Sequence, residues 1–159
     1  MPSRIVEAVV EVNASQQAKM VTKIRKALGG NEAGKTIGVL GLAFKPETDD
    51  MRDSASITIL SALAEKGAKI QAHDPQAMNE AKKVLPENVI YCQDPYEACK
   101  EADALVLMTE WNEYRALDME KIKSTLKQPI FIDLRNVYEP EKMKEAGFQY
   151  YSVGRAVVA

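Results

Sequence analysis

Thr36-Ile37-Gly38-Val39-Leu40-Gly41-Leu42-Ala43-Phe44-Lys45-Pro46-Glu47-Thr48-Asp49-Asp50-Met51-Arg52-Asp53-Ser54-Ala55-Ser56 begins as an apolar run, turns at a glycine and resumes as a polar loop. The run predicts a buried strand. Lys45 and Arg52 lie in the loop, and Asp53 or Ser54 is expected to cap the helix that follows, because a short oxygen side chain satisfies its first unpaired N–H groups. A strand, a loop and a helix N-terminus in this order make an anion site in many α/β proteins, since free backbone N–H groups and the helix dipole both favour negative charge. Arginine forks onto phosphate or ribose oxygens and lysine acts as a compact charge, so the pair suits a phosphorylated small molecule.

The same alternation continues along the chain. Residues 69–73, 88–91, 104–108, 130–134 and 149–153 join 36–42 as short strands, several of them continuous Val/Ile/Leu/Ala runs of the kind buried on both faces. Helical patterns lie between them at 54–66, closed by Gly67, then at 76–84, 95–101, 118–126 and 140–146, closed by Gly147. This order predicts an α/β fold, a Rossmann-like doubly wound parallel sheet whose ligands gather beyond the C-terminal ends of the strands.

The 159 residues and 46% apolar content suit a single core, and no apolar run reaches the roughly 18–20 residues of a membrane span. A formal net charge of -2 gives no broad basic field, which argues against nucleic acid and against an acidic membrane surface as partners. Any anion is therefore expected to bind locally. Cys92 and Cys99 have no secretory signal ahead of them and no second pair with which to build a zinc site, so a reducing, cytoplasmic setting is expected.

Residues 1–30 predict a long helix distinct from the domain at 31–159. Its first half carries Ile5, Val6, Val9, Val10 and Val12 around too much of its circumference for a surface helix, whereas Val21, Ile24 and Leu28 form an ordinary single stripe. The helix either packs wholly on its own domain or continues from, or buries itself against, something outside this chain. Exposed alone, the first half favours self-association.

Gly29-Gly30-Asn31-Glu32-Ala33-Gly34-Lys35-Thr36 fits the P-loop pattern letter for letter, yet it follows a helix and feeds a strand, the reverse of the order a P-loop needs. Gly29 and Gly30 read instead as a helix end and its turn. The dinucleotide fingerprint G-x-G-x-x-G is also lacking at the first strand, where only Gly38 and Gly41 stand, so an independent NAD site is not expected. Asp74 suits a ribose hydroxyl or a turn with Pro75 equally well. Trp111 either lines a pocket or packs, His73 has no partner evident in sequence, and Cys92 and Cys99 read as structural thiols.

Gly41-Leu42-Ala43-Phe44-Lys45-Pro46-x-Thr48-Asp49-Asp50-x-Arg52-x-Ser54, His73-Asp74-Pro75, Thr109-Glu110-Trp111 and Asp133-Leu134-Arg135-Asn136 together resemble the C-terminal, UDP-binding domain of the UDP-glucose/GDP-mannose dehydrogenase family. Glu7-Ala8-Val9-Val10-Glu11-Val12-Asn13 is similar to the later part of that family's long central helix. The resemblance spans nearly the whole chain in order. It implies that Phe44 and Lys45 lie at the nucleotide-sugar site, with the lysine on the bound UDP-sugar, and that Arg135 contacts the UDP moiety. It further implies that Arg52 reaches toward NAD held mainly by another domain.

The family reaction is two successive NAD-dependent oxidations of the sugar's C6 alcohol to a carboxylate, through a thioester or thiohemiacetal on a cysteine in a glycine-rich segment upstream of the long helix. Neither Cys92 nor Cys99 stands in such a segment, so this chain by itself is expected to be inactive. Thr109-Glu110-Trp111 most resembles the members that oxidise UDP-glucose to UDP-glucuronate, and a homodimer of the complete enzyme is implied. A GDP-mannose or UDP-N-acetylmannosamine dehydrogenase domain is the alternative within the family. A non-catalytic nucleotide-binding or scaffolding module is the alternative outside it.

Overall fold

The computed structural model describes residues 4–52 and 54–159, with side chains from Ala14 onward. Six strands, β1 (Thr36–Leu40), β2 (Lys69–His73), β3 (Ile90–Tyr91), β4 (Ala104–Leu107), β5 (Ile130–Asp133) and β6 (Gln149–Ser152), form one sheet in the order β3-β2-β1-β4-β5-β6. Every pairing between neighbouring strands is parallel, with Leu40 opposite His73 on one side and Leu107 on the other. The helices are α1 (Arg4–Ala27), α2 (Ala55–Glu65), α3 (Met78–Ala81), α4 (Pro95–Cys99), α5 (Met119–Thr125) and α6 (Pro140–Glu145), with a 3-10 turn at Asn112–Ala116. The expected α/β architecture is therefore present. Only α3 and β3 fall well short of the predicted 76–84 and 88–91.

The alternation of side chains along each strand divides the core between the two faces of the sheet. Ile37, Val39, Val106 and Ile132 point to one face and pack with Ile24 of α1 and Ile59, Leu60 and Leu63 of α2. Leu40, Leu105, Leu107 and Phe131 point to the other and meet Ala98, Ile122 and Met143 from α4, α5 and α6. All residues of β4 and β5 are buried, which is why their sequences read as unbroken apolar runs. Gly38 serves this packing and not a ligand: a Cβ there would lie 2.5 Å from the Ala98 carbonyl oxygen of α4.

Val21, Ile24 and Leu28 of α1 are buried as the single stripe predicts, and Lys23 Nζ donates to the Ser152 carbonyl at 2.6 Å. The broad apolar half at Ile5, Val6, Val9, Val10 and Val12 lies outside the side chains described. The helix ends at Gly29 and Gly30, whose φ values of 85° and 93° turn the chain while the Gly30 N–H donates to the Arg25 carbonyl at 2.9 Å. Glu32, 2% exposed, accepts from Arg25 Nε at 2.5 Å, and that guanidinium holds its carboxyl below the usual carboxylate range. The P-loop-like stretch is thus a helix end and a tied connection into the N-terminal edge of β1, far from any helix start. Among the described residues, no helix is long and apolar enough to cross a membrane.

Candidate functional site

After β1 the chain moves outward to β2 and β3, then returns across β1 to β4, β5 and β6, so the connections diverge between β1 and β4. Beyond the C-terminal ends of these strands lies the crevice in which doubly wound sheets bind ligands. The loops after β1, β2, β4 and β5 all emerge along this edge.

The loop after β1 is held at every backbone polar group of two successive residues. Leu42 and Ala43 N–H donate to Asp74 Oδ2 at 2.7 and 3.0 Å; the Leu42 carbonyl accepts from Ser54 Oγ at 2.6 Å and Ser56 Oγ at 2.7 Å; the Ala43 carbonyl accepts from Thr109 Oγ1 at 2.8 Å. Gly41 begins the loop with φ +92°, and a Cβ on it would come within 2.5 Å of the Thr109 backbone nitrogen. Only glycine fits there. Ser54 caps α2, accepting from the Ser56 N–H at 3.3 Å, which resolves the choice between the two candidate caps; Asp53 lies outside the described residues. Beyond the clamp, the Phe44 N–H donates to the Asp50 carbonyl at 2.8 Å, leaving the Phe44 side chain 51% exposed and Lys45 exposed beside it.

Asp74 is the hub of this edge. It is fully buried, and its Oδ1 accepts the N–H groups of Gln76 and Ala77 at 2.9 and 2.8 Å while Oδ2 also takes Trp111 Nε1 at 3.3 Å. Five donors saturate the carboxylate, so the turn with Pro75 and not a ribose contact accounts for it. Trp111, 4% exposed, packs and ties the loop after β4 to the loop after β2. His73 gains the partner sequence did not reveal: its Nδ1 lies 2.8 Å from the Tyr114 hydroxyl, which donates to the His73 carbonyl at 2.9 Å. With that proton committed to the carbonyl, the tautomer with its hydrogen on Nδ1 is the one that satisfies both groups. Burial holds this imidazole below its usual pKa.

Asp133, at the end of β5, repeats the device. Its Oδ1 accepts the Arg135 N–H at 3.0 Å, and its Oδ2 accepts from Val137 N–H, Tyr138 N–H and the Tyr150 hydroxyl at 2.8, 3.0 and 2.5 Å. The Arg135 backbone is fixed in consequence. Its side chain forms a two-point pair with Glu110, Nε donating to Oε2 and Nη2 to Oε1 at 2.9 Å. Partial burial pushes the Glu110 carboxyl up, but the hydrogen bonds and charge of Arg135, together with a backbone N–H, outweigh it and hold the group below its usual value.

Arg52 lines a separate cleft of about 500 Å³ between the loop after β1 and α3, together with Asp49, Asp50, Met51, Glu80 and Lys83. Its guanidinium bonds to Asp50 through Nε and Nη2, each at 3.1 Å. Phe44 and Lys45 thus share one loop with Arg52, and Arg135 stands across the crevice against Glu110. None of Phe44, Lys45 and Arg135 lines the cleft at Arg52.

Both cysteines are buried, with thiols pushed up by burial to about 11 for Cys92 and about 12 for Cys99. A thiol that high is overwhelmingly protonated near neutrality and a poor nucleophile. Both are expected to resist a thiol reagent such as DTNB at pH 8 in the folded chain and to react promptly in denaturant; rapid labelling of either without denaturant would contradict this environment.

Residues 38–140 match the UDP binding domain of the UDP-glucose/GDP-mannose dehydrogenase family, a span that takes in all four loops at the crevice. This chain belongs to that family. It is 49% identical over 154 residues to a UDP-glucose 6-dehydrogenase of Rhizobium meliloti, covering 97% of this chain and 35% of that protein. A UDP-glucose 6-dehydrogenase of Bacillus subtilis, TuaD, is 41% identical over 157 residues, covering 99% and 34%. Among solved structures, a UDP-glucose dehydrogenase from Pyrobaculum islandicum matches with a TM-score of 0.76 at 34% identity, covering 94% of this chain and 32% of that one. An NDP-N-acetyl-D-galactosaminuronic acid dehydrogenase from Methanosarcina mazei matches with a TM-score of 0.83 at 29% identity, covering 98% and 32%. The chain spans about a third of the length of these family members.

Proposed function

We propose that this chain is the UDP-sugar-binding part of a UDP-glucose 6-dehydrogenase, in which Phe44, Lys45 and Arg135 hold the nucleotide sugar. The observation that carries the reading is the convergence of the Phe44-Lys45 loop, the Thr109-Glu110-Trp111 loop and Arg135 at the switch point of the sheet, inside the region that matches the family's UDP binding domain. Lys45 supplies a compact charge and Arg135 a guanidinium edge, a combination suited to a pyrophosphate and its ribose. The exposed ring of Phe44 offers an apolar face beside them.

In this reading the long helix of residues 1–30 continues from a central domain, and residues 31–159 form the UDP-sugar domain of a homodimeric, cytoplasmic enzyme. NAD, when bound, accepts hydride from the C6 carbon. Among the described residues, Arg52 suits a contact at the rim of that cofactor: paired with Asp50, it extends from the loop with a side chain 89% exposed, while Gly38 is consumed by packing and no glycine fingerprint stands before α2. The chain's own task is to bind the UDP end and set the sugar's position. The covalent chemistry belongs to a cysteine elsewhere, since neither thiol here is exposed or acidic enough to serve.

The chain incubated with UDP-glucose and NAD is accordingly expected to form no NADH, followed by its absorbance, while binding UDP in preference to GDP. NADH formation that survives replacement of both Cys92 and Cys99 would defeat this division of labour, and preference for GDP would move the substrate to the GDP-mannose branch.

A further inference from the structure

We propose that Glu110 is a positioning residue for Arg135: its carboxylate holds the Nε–Nη2 edge of the guanidinium so that the opposite edge is presented to a nucleoside diphosphate. The proposal rests on the reading of Arg135 as a contact to the nucleotide. A guanidinium has five N–H donors in a fixed fork. Glu110 takes one from Nε and one from Nη2, and three remain, two on Nη1 and one on Nη2.

What sets this pair apart from an ordinary surface ion pair is the stiffness of both its ends. Glu110 stands between Thr109, whose hydroxyl donates to the Ala43 carbonyl, and Trp111, whose indole donates to buried Asp74. Arg135 follows Asp133, whose carboxylate holds the Arg135 N–H. The pair therefore joins two loops whose backbones are each fixed next door, and it does so at the mouth of the crevice, with side chains 43% and 25% exposed. Exposed pairs of this kind add little to stability. Their value lies in orientation, because the rotamer freedom of arginine is restricted before the ligand arrives. Arg115 contributes a second, weaker positive charge toward Glu110.

A rival role is open to the same atoms. Glu110 could compete with the phosphates for Arg135, in which case removing its charge would strengthen binding instead of weakening it. NMR titration of the chain with UDP separates the two. Glu110→Gln is expected to weaken UDP binding severalfold, up to about tenfold, with little change in melting temperature, as loss of a charge-assisted bidentate hold implies. Arg135→Lys weakens it too, and adding Glu110→Gln to Arg135→Lys should cost little more, because the fork that Glu110 orients is gone. Adding Glu110→Gln to Lys45→Arg, which keeps a positive charge on that loop and leaves binding measurable, should by contrast multiply the two losses. Unchanged or tighter UDP binding in Glu110→Gln, or losses that multiply with Arg135→Lys, would overturn the positioning role while leaving Arg135 at the site. Failure of the parent chain to bind UDP would instead overturn the reading of the site, and the positioning role with it.

Discussion

Asp74→Ala should lower the stability of the chain by about 4 kcal/mol or more, the largest loss expected from any single change at the crevice. Four backbone N–H groups and the Trp111 indole lose their acceptor together, and each buried donor left without a partner costs roughly 1–3 kcal/mol, offset where water enters the space. For a chain of this size that corresponds to a fall in melting temperature of about 8–16 °C, at roughly 2–4 °C per kcal/mol. Asp74→Asn keeps the shape but places an amide NH2 among donors, so it should recover only part of the loss. Urea denaturation of the three proteins measures this directly; a loss below about 1 kcal/mol in Asp74→Ala would mean that the loops after β1, β2 and β4 hold themselves without the carboxylate.

The second large effect is expected at Gly41. Alanine there meets both a positive φ of 92° and a Cβ placed 2.5 Å from two atoms of Thr109. Backbone strain of about 1–3 kcal/mol and overpacking of similar size should together cost about 2–6 kcal/mol. Gly30 is the comparison, because its φ of 93° is nearly the same while nothing lies within 4 Å of the added Cβ. Gly30→Ala should therefore show the strain alone. Equal losses at the two positions would remove the close approach of the β1 and β4 loops as a cause.

The order of strands and helices, and the placement of Phe44, Lys45 and Arg135 beyond strand ends, followed from apolar runs separated by capping residues and glycines, since those signals are local. The linkages that stabilise the crevice are not local. Asp74 reads in sequence as a turn former, but three of its five donors, the Leu42 and Ala43 N–H groups and the Trp111 indole, become visible only when the loops after β1, β2 and β4 are brought together. Asp133 carried the same signal, an aspartate closing an apolar strand ahead of a polar loop, and its role as a second such hub was missed. The pairs Glu110–Arg135 and His73–Tyr114 join residues 25 and 41 positions apart, with no periodicity to announce them. The 3-10 turn at Asn112–Ala116 escaped because so short an element leaves no pattern. Its Tyr114 is nonetheless fully buried and reaches β2 across the end of β1.

The P-loop-like match shows the converse, a pattern that reads clearly and has a structural cause. Gly29 and Gly30 end α1, Glu32 pairs with Arg25, and the Gly34 N–H donates to the Gly67 carbonyl at 3.0 Å, all at the N-terminal edge of the sheet. Lys35 therefore serves as an internal control for any test of anion binding at the opposite edge.

Chemical-shift mapping of the chain on adding UDP tests the central claim most directly. Binding is expected to be weak, on the order of millimolar, because one side of a cleft offers few contacts and leaves the sugar in water. The shifts should centre on residues 41–54 and 133–136, with Phe44, Lys45 and Arg135 among them. Lys45→Ala and Arg135→Ala should each remove a charge-assisted contact of roughly 1.5–3 kcal/mol, enough to abolish detectable binding with little change in melting temperature, and Lys35→Ala should leave binding intact. Shifts centred on residues 29–36, with binding lost in Lys35→Ala and kept in Lys45→Ala and Arg135→Ala, would contradict the site at the switch point of the sheet.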